Sequence, residues 1–170
     1  MAQVYLSLGS NIDPHTYIAA GLDALTAQFG PLTISPVYES VAVGFDGDNF
    51  LNLVVGIETS LPVGALFLVL KQIEDDHGRV RNGPKYSGIT LDIDILTYDA
   101  LCGVVDGVVL PRGEVLRNAF VLLPLSELAP DVRHAQTGDT FAQIWRNYHS
   151  DQKLWRVEFF WRNQLISCSA

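Results

Sequence analysis

Residues 89–96 read ITLDIDIL, a run that sets Asp92 and Asp94 among Leu91, Ile93, Ile95 and Leu96. Short, rich in β-branched residues and alternating, it has the pattern of a strand. Side chains alternate faces along a strand, so the two acids share one face about 6.5–7 Å apart along the chain. Leu91, Ile93 and Ile95 take the opposite face and need a core to cover them. Each carboxylate raises the cost of ionising the other. Such a pair is either two exposed acids on the solvent face of an edge strand or a site built to hold a cation.

The flanking segments supply the core. Gln3–Gly9 reads as a strand closed by a Gly9–Asn11 turn. A helix follows, with Asp13 as N-cap, Pro14 in the first helical position and Gly30 past its end; Ile18, Leu22 and Leu25 keep helical spacing. Residues 32–40 predict a second strand broken by Pro36, hence an edge or bulged strand. Residues 50–60 predict a third strand. Residues 61–78 predict a second helix, with Pro62 near its start and Gly78 beyond its end. After the two-acid strand, Asp106-Gly107 predicts a hairpin turn. A short helix and a buried segment follow over 112–131, then a helix near 140–148 and a final strand or helix over 154–161. The order β-α-β-β-α-β predicts an α+β, ferredoxin-like fold: one mostly antiparallel sheet with packed helices, a single domain over residues 1–170.

Composition narrows the function. With 48% hydrophobic and 18% charged residues the chain is globular, and a net charge of −8 makes a general nucleic-acid binder a poor fit. No Lys or Arg precedes Lys71, whereas Arg79, Arg81, Lys85, Arg112 and Arg117 flank the two-acid strand. A solvated face explains such clustering, and so does a site for a polyanion such as a nucleotide triphosphate. Cys102 and Cys168 stand apart from any paired motif, which suits a reducing compartment. The first residues lack a basic signal-peptide start, and the apolar run Val63–Leu70 is too short to span a bilayer. The expectation is a cytoplasmic protein with no membrane partner.

Neither a P-loop nor a G-x-G-x-x-G fingerprint is present in the sequence. Ser10 lies in GSN, outside a nucleophile elbow, and His77 and His134 read as ordinary histidines. The D-x-D strand therefore carries the chemistry. Mg²⁺ is held by one or two carboxylates with phosphate oxygens and water, and paired acids can bridge two metals around a transferring phosphoryl group. The neighbouring arginines favour this over two merely solvated acids. A two-metal nuclease is disfavoured, because the acidic chain offers no basic stripe for a nucleic-acid backbone.

These residues resemble the hydroxymethyl-dihydropterin pyrophosphokinase family over about Val4 to Gly138. LGSN at Leu8–Asn11, SPVYES at Ser35–Ser40, FLN at Phe50–Asn52 and IE…GRVR from Ile73 to Arg81 occur in order. TLDIDIL at Thr90–Leu96, LP at Leu110–Pro111, AFVLLPLSELAPD at Ala119–Asp131 and TG at Thr137–Gly138 follow. The resemblance implies transfer of the β,γ-pyrophosphoryl group of ATP to the pterin hydroxymethyl oxygen, with release of AMP. It implies that Asp92 and Asp94 hold two Mg²⁺ ions, with Arg79 beside them as a catalytic group. Glu74, Arg79 and Arg81 would serve the nucleotide, with Arg112 and Arg117 as further ATP-side cations. Pterin would stack between Phe50 and Phe120, hydrogen-bonded by Asn52 and read along its edge by Ser40, Val41 and Val43, with Tyr86 as a further aromatic face. The expected partners are these small molecules, and the expected state is a monomer.

The chain departs from the family pattern on the phosphate side. Ile89 stands where the family has an arginine, Arg112 follows LP in place of histidine, and Asn118 replaces another arginine. Phe50 and Tyr86 are milder changes, each keeping an aromatic face. Losing one preorganised charge-stabilising group costs roughly 10²–10³ in rate. Two readings follow: an active pyrophosphokinase with rearranged arginines, or a divergent member that binds pterin or nucleotide with little transfer. The retained Asp92, Asp94 and Arg79 favour the first. The polar, glycine-bearing loops Val43–Asn49 and Gly78–Gly88 are expected to act as lids.

Overall fold

The computed structural model describes residues 1–42, 47–81 and 88–169. Its frame begins with β1 (Ala2–Ser10), α1 (Pro14–Phe29), β2 (Thr33–Ile34), β3 (Val37–Ser40), β4 (Phe50–Thr59), α2 (Val63–Asp76) and β5 (Asp92–Tyr98). A hairpin of β6 (Gly103–Val105) and β7 (Val108–Leu110) turns at Asp106 and Gly107, both at positive φ. Then come α3 (Glu114–Arg117), α4 (Ala119–Leu128), α5 (Phe141–Arg146), β8 (Leu154–Val157), β9 (Phe159–Trp161) and β10 (Gln164–Ser167).

The main sheet runs β5-β1-β4-β3-β8, with β2 also pairing β4, and every pairing is antiparallel. This is the expected split arrangement with β8 added at one end, and the α+β expectation is met.

Two cores sandwich the sheet. One face of β1 presents Val4, Leu6 and Leu8, which pack with Ile18, Leu22 and Leu25 of α1 and with Val63, Leu66, Leu70 and Ile73 of α2. Those helix positions recur at three- and four-residue intervals, the stripe of a core-facing helix. Each such aliphatic side chain contributes about 1.5–3 kcal/mol on burial. The opposite face carries Val54 and Leu96, covered by Val121, Leu122 and Leu125 of α4 with Phe141 of α5. Since both faces are covered, β4 reads as a nearly continuous apolar run instead of alternating.

Four expectations need correction. Asp13 does precede α1, but it sits in the left-handed region (φ 43°) and its side chain caps nothing. The helix is started by Pro14 instead, which is pre-set for the first turn. Strand β3 is no edge: β8 covers the side away from β4. Pro36 falls in the break between β2 and β3, where a missing N–H costs no ladder bond, and Ser35 fills the gap by accepting from Val54 N at 2.8 Å. The two-acid strand begins at Asp92, since Ile89 is held by Asn11 instead of by a ladder. The segment 154–161, read as one strand or helix, is two strands, and a third follows at Gln164–Ser167.

Those last strands belong to the core. Phe159 is 1% exposed and packs in the α1–α2 core, its ring stacked on His15 at 5.4 Å. Ser167 Oγ accepts from Val37 N at 2.9 Å and donates to Val157 O at 2.6 Å, while Trp161 Nε1 donates to Asp23 at 3.0 Å. Phe159→Ala is expected to lower the unfolding free energy by about 3–5 kcal/mol in urea titration. A loss below about 1 kcal/mol would make this hairpin an appendage to the fold.

Candidate active site

Sheet register places the chemistry. Gly9 of β1 faces Asn52 of β4 on one side and Asp92 of β5 on the other. Two residues along, Ser7 lies between Val54 and Asp94. Residues level with each other across a sheet share a face, so Asn52, Asp92 and Asp94 all point to the α4 side. The acids are partly covered, their side chains 35% and 15% exposed. They are therefore not a solvent-facing pair.

The end of α2 clasps β5 along the outer edge of the sheet. Glu74 Oε2 accepts from Ile93 N at 2.7 Å, Lys71 Nζ donates to Ile93 O at 3.2 Å, and Arg79 Nη1 donates to Leu91 O at 3.0 Å. Charged side chains thus satisfy backbone groups that a further strand would otherwise pair. The same groups reach the acids: Arg79 lies 3.1 Å from Asp92, and Lys71 lies 3.6 Å from Asp94 and 2.9 Å from Glu74. Arg81 pairs with Glu74 at 2.5 Å and also with Asp75. From the other side, Arg112 lies 3.6 Å from Asp94 while Glu114 grips its guanidinium at 2.6 and 3.0 Å.

Burial, the charge on Asp92 and the hydrogen bond between the two carboxyls push Asp94 up to about 7, against the pull of Arg112 and Lys71. For Asp92, burial is outweighed by that hydrogen bond and by Arg79 and Lys71, and its pKa falls below the usual carboxylate value. At neutral pH the pair therefore shares a proton over part of the population, Asp94 donating to Asp92. Hard carboxylate oxygens that ionise together only at a cost suit a divalent cation, which would take the place of the shared proton. Among the described residues no three His, Cys, Asp or Glu side chains gather into a complete metal set. A cation held here would draw its remaining ligands from phosphate and water.

Beside Asp92 opens a cleft of about 190 Å³ lined by Gly9, Ser40, Val41, Phe50, Asn52, Ile89 and Phe120. Five residues expected at a pterin site, Ser40, Val41, Phe50, Asn52 and Phe120, thus come together. Val43 and Tyr86 lie outside the described residues, as does most of both expected lids. Asn52 Nδ2 donates to Ser40 Oγ at 2.8 Å. A Cβ at Gly9 would stand 3.5 Å from Asn52 Oδ1 and 3.9 Å from Phe50, so glycine keeps the floor open. Ile89 is fixed by Asn11, whose N donates to Ile89 O at 2.9 Å and whose Oδ1 accepts from Ile89 N at 2.6 Å.

Arg112 and Arg117 line a separate, wider cleft of about 440 Å³ with Phe67, Val109 and Glu114. Lys71 Nζ lies 5.4 Å from the Phe67 ring centre. Asn118 joins neither cleft; its amide donates to Glu114 at 3.2 Å.

Sequence reasoning missed Lys71, Phe67 and Gly9 as site residues. Lys71 carried a usable signal, as the first basic residue of the chain and three positions before Glu74, one helical turn away.

In the metal-free protein the raised Asp94 acts on stability. Its folded pKa lies above the ordinary 3.8, so the proton-linked stability is full at low pH and lost as pH rises through about 7. Asp94→Asn keeps a donor for Asp92 without the charge. In chelator at pH 8 it is expected to raise Tm, by about 2–4 °C for each kcal/mol relieved. The gain should shrink at pH 5 and vanish only below about pH 3.8, where the unfolded chain is protonated as well. No gain at pH 8 would mean that Lys71 and Arg112 outweigh burial and Asp92.

The 7,8-dihydro-6-hydroxymethylpterin-pyrophosphokinase (HPPK) family model matches residues 5–130. A 2-amino-4-hydroxy-6-hydroxymethyldihydropteridine pyrophosphokinase from Porphyromonas gingivalis is 38% identical over 136 residues, covering 76% of this chain and 92% of that protein. The Bacillus subtilis protein of that name is 34% identical over 154 residues, covering 84% of this chain and 89% of its own. Among solved structures, a Plasmodium falciparum HPPK-DHPS chain superposes with a TM-score of 0.73 at 13% identity, covering 96% of this chain and 50% of the longer one. That last likeness speaks to fold. The sequence matches show the lineage: the chain belongs to the 7,8-dihydro-6-hydroxymethylpterin-pyrophosphokinase family.

Proposed function

We propose that the chain transfers the β,γ-pyrophosphoryl group of ATP to the hydroxymethyl oxygen of 6-hydroxymethyl-7,8-dihydropterin, a step of folate biosynthesis that releases AMP. The observation that carries this reading is the junction at Asp92: an aromatic cleft sized for a small flat ring opens onto one member of the acid pair. A flat heteroaromatic needs apolar faces and a few fixed polar partners. Phe50 and Phe120 supply the faces, Asn52 and Ser40 the polar edge.

ATP would lie along the cleft of Arg112 and Arg117, its base against Phe67 and its phosphates toward Asp94. Asp92 and Asp94 would hold two Mg²⁺ ions, which would supply positive charge against the phosphates. Arg79, Lys71 and Arg112 hold the acids in place and add positive charge on both sides. The bond from the α,β-bridging oxygen to the β-phosphorus breaks as the hydroxymethyl oxygen bonds to that phosphorus; AMP departs with the bridging oxygen, and the hydroxyl proton passes to water. Positioning of this kind supplies most of the acceleration in phosphoryl transfer. The free, exposed thiols of Cys102 and Cys168 suit a reducing cytoplasm, where we place the protein as a monomer. No helix among the described residues is long and apolar enough to cross a membrane.

AMP release from ATP should require both Mg²⁺ and the hydroxymethyl-dihydropterin, and Asp92→Asn should lower kcat by at least about 10²-fold. Tight pterin binding by calorimetry with no AMP above background would instead identify a pterin-binding relative without transfer. Ile89→Arg adds a cation at the mouth of the cleft and is expected to raise turnover. An unchanged or lower rate would show that Lys71 and Arg112 already carry that charge.

A further inference from the structure

The segment 151–153 lies beyond the residues that the family model matches, yet it forms a wall beside the pterin cleft. Val41 N donates to Lys153 O at 3.3 Å, and Ser40 pairs with Leu154 where β8 joins β3. Asp151, Gln152 and Lys153 thereby line a space of about 330 Å³ with Val41, Ala42 and Phe120. Val41 and Phe120 also line the pterin cleft, so the two spaces share a wall.

Gln152 is the polar centre of this wall. Its Oε1 accepts from Ala119 N at 2.6 Å, and its Nε2 donates to Asn118 Oδ1 at 3.1 Å. Ala119 N is the first N–H of α4, one of the donors that a helix leaves without an internal partner. Asn118, in the N-cap position, makes no side-chain cap; its amide is turned to Glu114. Gln152 therefore caps α4 from 33 residues away, and the next residue along that helix is Phe120. The chain of contacts continues through Asn118 and Glu114 to Arg112, which faces Asp94.

We propose that Gln152 is a positioning residue for the pterin. Resting on the reading above, this assigns to the C-terminal segment the task of fixing the start of α4, so that the Phe120 ring keeps its face in the cleft. The amide suits the task because it accepts from Ala119 and donates to Asn118 at once, which no aliphatic side chain of its size can do.

Calorimetry with hydroxymethyl-dihydropterin, and separately with a non-hydrolysable ATP analogue and Mg²⁺, tests this without needing turnover. Gln152→Ala is expected to weaken pterin binding about tenfold, the worth of one or two hydrogen bonds. ATP-analogue binding should stay within about twofold. Gln152→Glu keeps the acceptor for Ala119 N and should recover most of the lost affinity. Unchanged pterin binding in Gln152→Ala would overturn the proposal, and so would an equal loss for both ligands or no recovery in Gln152→Glu. If Gln152→Ala does not fold, the comparison of Gln152→Glu with Gln152→Met decides it in the same way. A wild-type chain that binds pterin but releases no AMP would defeat the transfer reading and leave this one standing. A chain that binds no pterin would defeat both.

Discussion

A single carboxylate sets where everything else in this site can be. Glu74 is 1% exposed and shares its two oxygens among Ile93 N, Lys71 and Arg81, with Arg79 at 3.6 Å. A buried carboxylate is tolerable only when charge and hydrogen bonds both answer it. Here the answer comes from the backbone of the strand that carries Asp92 and Asp94. Docking α2 on the sheet and fixing those acids are thus one event. The arrangement also closes an edge that would otherwise offer unpaired backbone groups to another chain.

With the edge strand fixed, geometry does the rest. Asn52, Gly9 and Asp92 lie level across three strands, so the polar partner of a flat ring and the first acid of the pair share one face. The residue between them has no side chain, which leaves the ring space to lie there. The α4 helix then comes down over the same face, covering Val54 and Leu96 with its apolar stripe and bringing Phe120 to the cleft. The second core therefore also supports one wall of the site.

How much of this could be read from the sequence follows from how local each signal is. Pro14, Gly30 and Asp106-Gly107 announce turns and helix ends through their own backbone preferences, and those elements stand where expected. Asp92 and Asp94 declare a shared face because strand periodicity is local too. The part played by Lys71 depends on Ile93, 22 residues on, and that of Gln152 on Ala119, 33 residues back. Gln152 is unremarkable in its own neighbourhood, and Lys71 stands out only as the first basic residue of the chain. An edge or bulged strand is all that Pro36 predicts locally; the cover of β3 comes from β8, whose Leu154 lies 114 residues beyond the Ser40 it pairs with.

The departure at Ile89 can now be placed in space. Its backbone is pinned by Asn11 and its aliphatic side chain lines the aromatic cleft, so the position has become part of the wall that a pterin would touch. Positive charge is nonetheless gathered at the acids from three separate parts of the chain: Lys71 from α2, Arg79 from the segment after it, and Arg112 from the segment after β7. Arg79 addresses Asp92, while Lys71 and Arg112 address Asp94 from two sides. An anion arriving between them meets cations that are already oriented by Glu74 and Glu114, and whose orientation requires no rearrangement on its arrival. Preorganised charge of this kind acts at full strength in a partly desolvated site, and an arginine introduced at position 89 would add to it from a fourth part of the chain.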